Sequence, residues 1–166
     1  MYEKSIELLN RAVADELAAV HQYMYFHFHC DDQGLAPLAR MFKMTAIEEM
    51  VHIEHISDRI LFLKGDVELK AAEEVKKTHD VKQMLELACA SEKDAIITYN
   101  QFALACSEEA DSATRKLFEA LVEDEERHYG QFGNELGNLG KFGENYLALQ
   151  SMEGNKSGST PGGSAG

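Results

Sequence analysis

Glu16, Tyr23, Cys30, Phe42, Glu49 and His52 are matched, 76 positions later, by Glu92, Tyr99, Cys106, Phe118, Glu125 and His128. In each set a lone Glu lies 33 residues ahead of a Glu-x-x-His. Ala19/Ala95 and Phe26/Phe102 continue the register, with Val20/Ile96 and Glu48/Asp124 as close matches. Hydrophobic burial gives no reason to repeat Glu and His in step. Four carboxylates and two imidazoles, supplied as two equivalent sets, are what a two-metal site requires. Within Glu-x-x-His the two ligands share one helix face, because i and i+3 are neighbours on a helix. Four carboxylates buried together need compensating positive charge, and two divalent cations balance them. Oxygen-rich coordination with one nitrogen per metal suits iron or manganese better than zinc or copper. Bridging carboxylates would set the metals about 3.5–4 Å apart. A single Glu-x-x-His is common in an acidic helical chain and would be read as a surface acid and a satisfied core histidine. Two in register would not.

The ligands need long helices to hold them, and the chain permits these. Its only prolines are Pro37 and Pro161. Ile6, Leu9, Val13, Glu16, Val20, Tyr23, His27 and Cys30 recur at three- and four-residue steps, which predicts a helix over 6–30. Asp31-Asp32-Gln33-Gly34 breaks the pattern, and Pro37 fits the first turn of a second helix that runs to about Lys64. Gly65 is placed to cap it. Residues 65–79 are too long and polar for a tight turn. A third helix is expected over Asp80–Glu108, a fourth over Ser112–Leu136, and a short apolar fifth over Phe142–Leu149. The fold class is therefore all-α: a four-helix bundle with one long crossover and a short C-terminal fifth helix. Residues 1–150 form the expected domain. Residues 151–166, rich in Gly and Ser, are expected to be a flexible tail.

Composition narrows the function classes. The 166 residues carry a formal net charge of −13, which argues against nucleic acid or an anionic membrane as partner and suits a surface that attracts cations. Three cysteines without a C-x-x-C give neither a disulfide framework nor a thiolate zinc site. No run of 18 apolar residues exists, and the N-terminus opens directly into an amphipathic pattern. The expected setting is reducing and cytoplasmic.

The paired Glu and Glu-x-x-His on four helices resembles the ferritin-like di-iron carboxylate family. More narrowly, the chain resembles bacterioferritin in Glu16-Leu17-Ala18-Ala19-Val20-His21-Gln22-Tyr23, Ile47-Glu48-Glu49-Met50-Val51-His52, Asp58-Arg59-Ile60-Leu61-Phe62-Leu63-Lys64-Gly65 and Asp124-Glu125-Glu126-Arg127-His128. The resemblance implies a ferroxidase centre that oxidises Fe(II) with O2 or H2O2 and stores ferric mineral in a homo-oligomeric cage, of 24 subunits rather than 12. It makes Glu16 and Glu92 terminal carboxylates, Glu49 and Glu125 bridges, and His52 and His128 nitrogen ligands of a di-iron centre. Tyr23 and Tyr99 would donate hydrogen bonds beside the metals. Met50 stands where bacterioferritins place the methionine that binds haem b between two subunits. The plain alternative for Met50 is interface packing. The sequence departs from the family at His21, Val51 and Met44, the last where an inner-surface His is usual.

Two rival functions compete with this reading. A ferritin-like peroxidase or manganese catalase would store nothing, but rubrerythrin-type peroxidases usually carry a Cys-x-x-C module that this chain lacks. A Dps-like protective cage would place its ligands at a dimer interface, and its DNA-binding forms often carry a basic tail. His27, His29, His55 and His79 have no ligand spacing.

Overall fold

A computed structural model describes residues 2–157. It contains helices α1 (Glu3–Asp32), α2 (Ala36–Phe62), α3 (Val81–Glu108), α4 (Ser112–Phe142) and α5 (Glu144–Ser157). α1 pairs with α2 and α3 with α4 as two helical hairpins. An extended crossover, residues 63–80, joins them and runs the length of α1, meeting Asn10, Ala14, Gln22 and Gln33 in turn, so that α3 begins at the α1–α2 turn end. The four-helix bundle with one long crossover and a short C-terminal helix is the architecture expected from the periodicity.

The repeat extends into the turns. At the end of α1, Gly34 N–H donates to Asp31 O (2.9 Å) and Leu35 N–H to Cys30 O (2.9 Å). At the end of α3, Ala110 N–H donates to Ser107 O (3.1 Å) and Asp111 N–H to Cys106 O (2.9 Å). These are the same Schellman closure, 76 positions apart, with a left-handed residue at its pivot. Gly34 adopts φ 74° freely, whereas Ala110 holds φ 57° at a steric cost. Asp111 then caps α4 by accepting from Thr114 N–H (3.1 Å), and Asp80 caps α3 by accepting from Gln83 N–H (2.8 Å). Arg59 reaches across from α2 to Asp111 (2.7 Å) and Thr114 Oγ1 (2.9 Å), fixing the two hairpins to each other.

Three expectations need correction. The left-handed cap of α2 is Lys64 (φ 66°), not Gly65. Gly65 is required for space instead: a Cβ there would lie 2.7 Å from Ile6 Cγ2. α4 runs past Leu136 to Phe142 through Gly137 and Gly140. Leu136 and Leu139 pack on the core there, and that burial outweighs a helix cost of about 1 kcal/mol per glycine. α5 begins at Glu144 rather than Phe142, after Gly143 turns the chain at φ 55°. It continues to Ser157, so the helix crosses the expected start of the tail at residue 151. The rest of that tail lies outside the described residues.

Two apolar clusters fill the bundle, one on each side of its centre. The first gathers Tyr23, Phe26 and Phe42 from the α1–α2 turn end with Met84, Leu85 and Phe132 from the other hairpin. The second gathers Tyr99, Phe102 and Phe118 with Leu8, Leu9 and Ile56. Each of the six residues named from one cluster is the 76-residue counterpart of one named from the other. Burying each such side chain contributes about 1.5–3 kcal/mol. Tyr146 of α5 closes the first cluster, its hydroxyl donating to Glu135. No helix among the described residues is long and apolar enough to cross a membrane.

Candidate metal centre

Between the two apolar clusters lie the six repeated polar residues. α1 contributes Glu16, α2 Glu49 and His52, α3 Glu92, and α4 Glu125 and His128. All six are buried, at 0–4% exposure. Inward placement follows from the three- and four-residue spacing that puts each on the same helix face as core residues such as Tyr23, Phe42 and Leu121.

The ligand atoms converge in two groups. One oxygen or nitrogen from each of Glu16, Glu49, His52 and Glu125 lies within 4.8 Å of the others, and the same holds for Glu49, Glu92, Glu125 and His128. Glu49 and Glu125 belong to both groups. His52 Nδ1 is 2.9 Å from Glu49 Oε2 and 3.3 Å from Glu125 Oε1. His128 Nδ1 is 3.1 Å from Glu49 Oε1 and 3.2 Å from Glu125 Oε2. Both imidazoles thus turn Nδ1 toward the shared carboxylates.

Both oxygens of Glu49, Nδ1 of His52 and Oε1 of Glu125 are buried and make no hydrogen bond. Buried polar atoms are almost always satisfied, and leaving a charged one unmet costs several kcal/mol. Four such atoms facing one point, in an oxygen-rich set with one nitrogen on each side, fit two divalent cations of the iron or manganese kind. In the metal-free cluster, protons compensate instead. Burial pushes the Glu16, Glu49 and Glu92 carboxyls above their usual range, and raises Glu125 to about 7. Burial alone would disfavour charged imidazoles, but the close approach of the surrounding glutamate carboxylates raises both His52 and His128 well above an ordinary histidine. The residues that would bind cations therefore bind protons more readily than ordinary glutamates and histidines do.

The surroundings are organised by the same repeat. Tyr99 donates to Glu16 Oε1 at 2.7 Å, and Tyr23 donates to Glu92 Oε1. Each phenol thus serves the lone Glu of the other hairpin. Burial, reinforced by the adjacent glutamates, keeps both phenols protonated and so committed as donors. On the opposite side, His52 Nε2 pairs with Asp124 Oδ2 (3.2 Å) and His128 Nε2 with Glu48 Oε2 (2.7 Å). A neutral imidazole that donates from Nε2 leaves its Nδ1 lone pair free for a metal. The close match Glu48/Asp124 was visible in the sequence, but this role was not. Nor was Arg127, which binds both acids. Arg127 and His128 both engage Glu48 Oε2.

One cavity reaches the centre, and another lies apart from its six residues. The first, of about 220 Å³, opens between α1 and α3 under the crossover, with Asp15, Glu73 and Asp94 at its outer part and Glu16, Glu92 and Glu125 on its floor. Gln22 clamps the crossover above it, donating to Lys76 O (3.0 Å) and accepting from Lys76 N–H (2.8 Å). The other, about 400 Å³, lies between α2 and α4 against Met44, Thr45, Glu48 and Glu135. Met50 points away from the centre and is 48% exposed on α2. His27 hydrogen-bonds Ala39 O (2.9 Å), and His29 stacks on His79 (4.2 Å between ring centroids). Neither takes part in a metal-ligand group. Cys30 and Cys106 are buried core thiols.

Residues 6–142 match the ferritin-like domain family. Over 145 residues the chain is 37% identical to a bacterioferritin of Desulfovibrio desulfuricans, covering 87% of this chain and 81% of that one. It is 35% identical over 147 residues to a bacterioferritin of Rhodobacter capsulatus, covering 88% and 91% respectively. A bacterioferritin of Brucella melitensis is 34% identical over 141 residues, covering 85% and 88%.

Proposed function

The chain belongs to the ferritin-like family, and from that premise we propose that it is a cytoplasmic iron-storage ferroxidase of bacterioferritin type. The observation that carries this reading is the sharing of Glu49 and Glu125 by two four-ligand groups. In this role Glu16, Glu49, His52 and Glu125 hold one iron, and Glu49, Glu92, Glu125 and His128 the other.

Fe(II) is the substrate. Each of two ions gives up one electron. The pair, with two protons, reduces O2 to H2O2 or H2O2 to two waters. Carboxylate oxygens are hard, anionic ligands and favour Fe(III) over Fe(II), so the two groups promote oxidation. Tyr23 and Tyr99 hold the lone glutamates in place, while Asp124 and Glu48 fix the imidazoles. The acidic cavity under the crossover attracts cations from solvent toward Glu16 and Glu92. Fe(III) then passes to a mineral inside a cage of 24 copies.

Met50 would meet its counterpart from a second copy and ligate haem b from both sides. Its exposure and its direction away from the cluster support an intermolecular role.

The test is aerobic Fe(II) addition to the isolated protein, with particle mass and iron content measured together. A cage-sized particle that oxidises Fe(II) and retains many irons per chain is expected. Turnover of peroxide without retained iron would instead make the protein a peroxidase, and a particle of twelve chains would refute the larger cage.

A further inference from the structure

Arg127 breaks the repeat at an informative place. Its 76-residue counterpart is Val51, so this cation has no partner in the other half. Its Nη2 nevertheless serves both halves, lying 2.6 Å from Glu48 Oε2 and 2.9 Å from Asp124 Oδ1. Those two acids are the ones that pair with His128 and His52. The result is one chain of contacts across the α2–α4 seam: His52, Asp124, Arg127, Glu48, His128.

We propose that Arg127 is the positioning residue for both histidine ligands, one guanidinium aiming the two imidazoles through two carboxylates. The inference rests on the reading of the cluster as a dinuclear centre. Glu48 and Asp124 are both partly exposed, at 37% and 44% of their side chains. Without a shared cation two neighbouring carboxylates repel and turn to solvent, where water competes for them. Each imidazole then loses the acceptor that fixes its ring plane and directs Nδ1 inward. Groups that orient a metal-bound histidine in this way typically change metal affinity by about 10–100-fold when removed. Both contacts come from a single nitrogen, so the point charge of a lysine ammonium can replace them, whereas a neutral amide cannot.

The experiment is an anaerobic Co(II) titration of the full chain, followed through the visible ligand-field bands that report nitrogen coordination. Wild type is expected to take up two Co(II) per chain. Arg127→Gln should bind both ions at least about tenfold more weakly, with altered band positions. Arg127→Lys should recover most of the affinity and the wild-type spectrum. Arg127 is itself 43% exposed, so both variants keep the fold, and their helical circular dichroism checks this. Wild-type affinity and spectrum in Arg127→Gln, or tighter binding, overturn the role of Arg127 while leaving the dinuclear centre standing. So does a Lys variant as impaired as the Gln variant. Wild type that takes up fewer than two Co(II) overturns both readings.

Discussion

The hydroxyl of Tyr99, on α3, donates to Glu16, on α1, across the middle of the bundle at 2.7 Å, and Tyr23 returns the same bond to Glu92. The repeated halves are therefore interlocked at the buried Glu/His cluster itself. Tyr99→Phe keeps the ring and removes only the donor, leaving a buried carboxylate short of a partner. Denaturant unfolding of the metal-free variant should show a loss of about 1–3 kcal/mol. Metal affinity at the Glu16 side should fall more than at the Glu92 side. Equal affinity changes at both sides would mean that the phenol acts only as packing.

Removing a shared ligand should do more than removing a lone one. Glu125→Ala takes an oxygen from both ligand groups, so tight uptake should drop from two divalent ions to at most one. Fast Fe(II) oxidation in a stopped-flow assay should fall by a hundredfold or more, on the order of the largest effects of disturbing a metal site. The metal-free variant should unfold no earlier than wild type, since one of four mutually repelling carboxylates is gone. Retention of two tight ions by this variant would sink the dinuclear assignment.

Stability should run in opposite directions with pH in the metal-free and metal-loaded protein. Glu125 titrates at about 7 in the fold against an ordinary value of 4.5, so between these the native state binds more protons and loses stability as pH rises. His52 and His128 are raised as well, so their contribution is complete below 6.5 and is lost as pH climbs above it. Metal-free protein should therefore melt progressively lower from about pH 5 to pH 8. Mn(II) must displace these protons to bind, so the loaded protein should melt higher over the same range. Parallel melting curves across that range would contradict a proton-filled cluster.

Met50 faces away from the ligands, about 100° around α2 from Glu49. Met50→Leu conserves volume and helix propensity, so assembly and Fe(II) oxidation should persist. Added haem should give the Soret band of a low-spin bis-thioether complex with wild type and none with the variant. A haem-free wild type would leave Met50 as interface packing.

Much of this centre was legible because its residues obey two constraints at once. Glu16, Glu49, His52 and their counterparts sit on apolar helix faces and recur in register, which neither solvent exposure nor packing alone produces. Helix type followed from the same periodicity. What escaped was decided by contacts between distant segments. The extension of α4 through Gly137 and Gly140 depends on Leu136 and Leu139 meeting the core, and local propensity argues against it. Gly65 looked like a cap, but its reason is the approach of Ile6 from a distant part of the chain. Arg127 was hidden for a related cause: it has no cationic counterpart in the repeat, where Val51 stands, and only the fold brings Glu48 beside it.

The apolar clusters on either side of the centre are each assembled from both hairpins, with Phe26 and Phe42 of one closing over Met84 and Phe132 of the other. Neither hairpin owns a complete core. A chain of half this length would expose the inner faces of two helices, together with one Glu and one Glu-x-x-His, until it met another like itself. Severing the crossover would thus leave two complementary fragments rather than two miniature proteins, and the metal pair would form only where they rejoin.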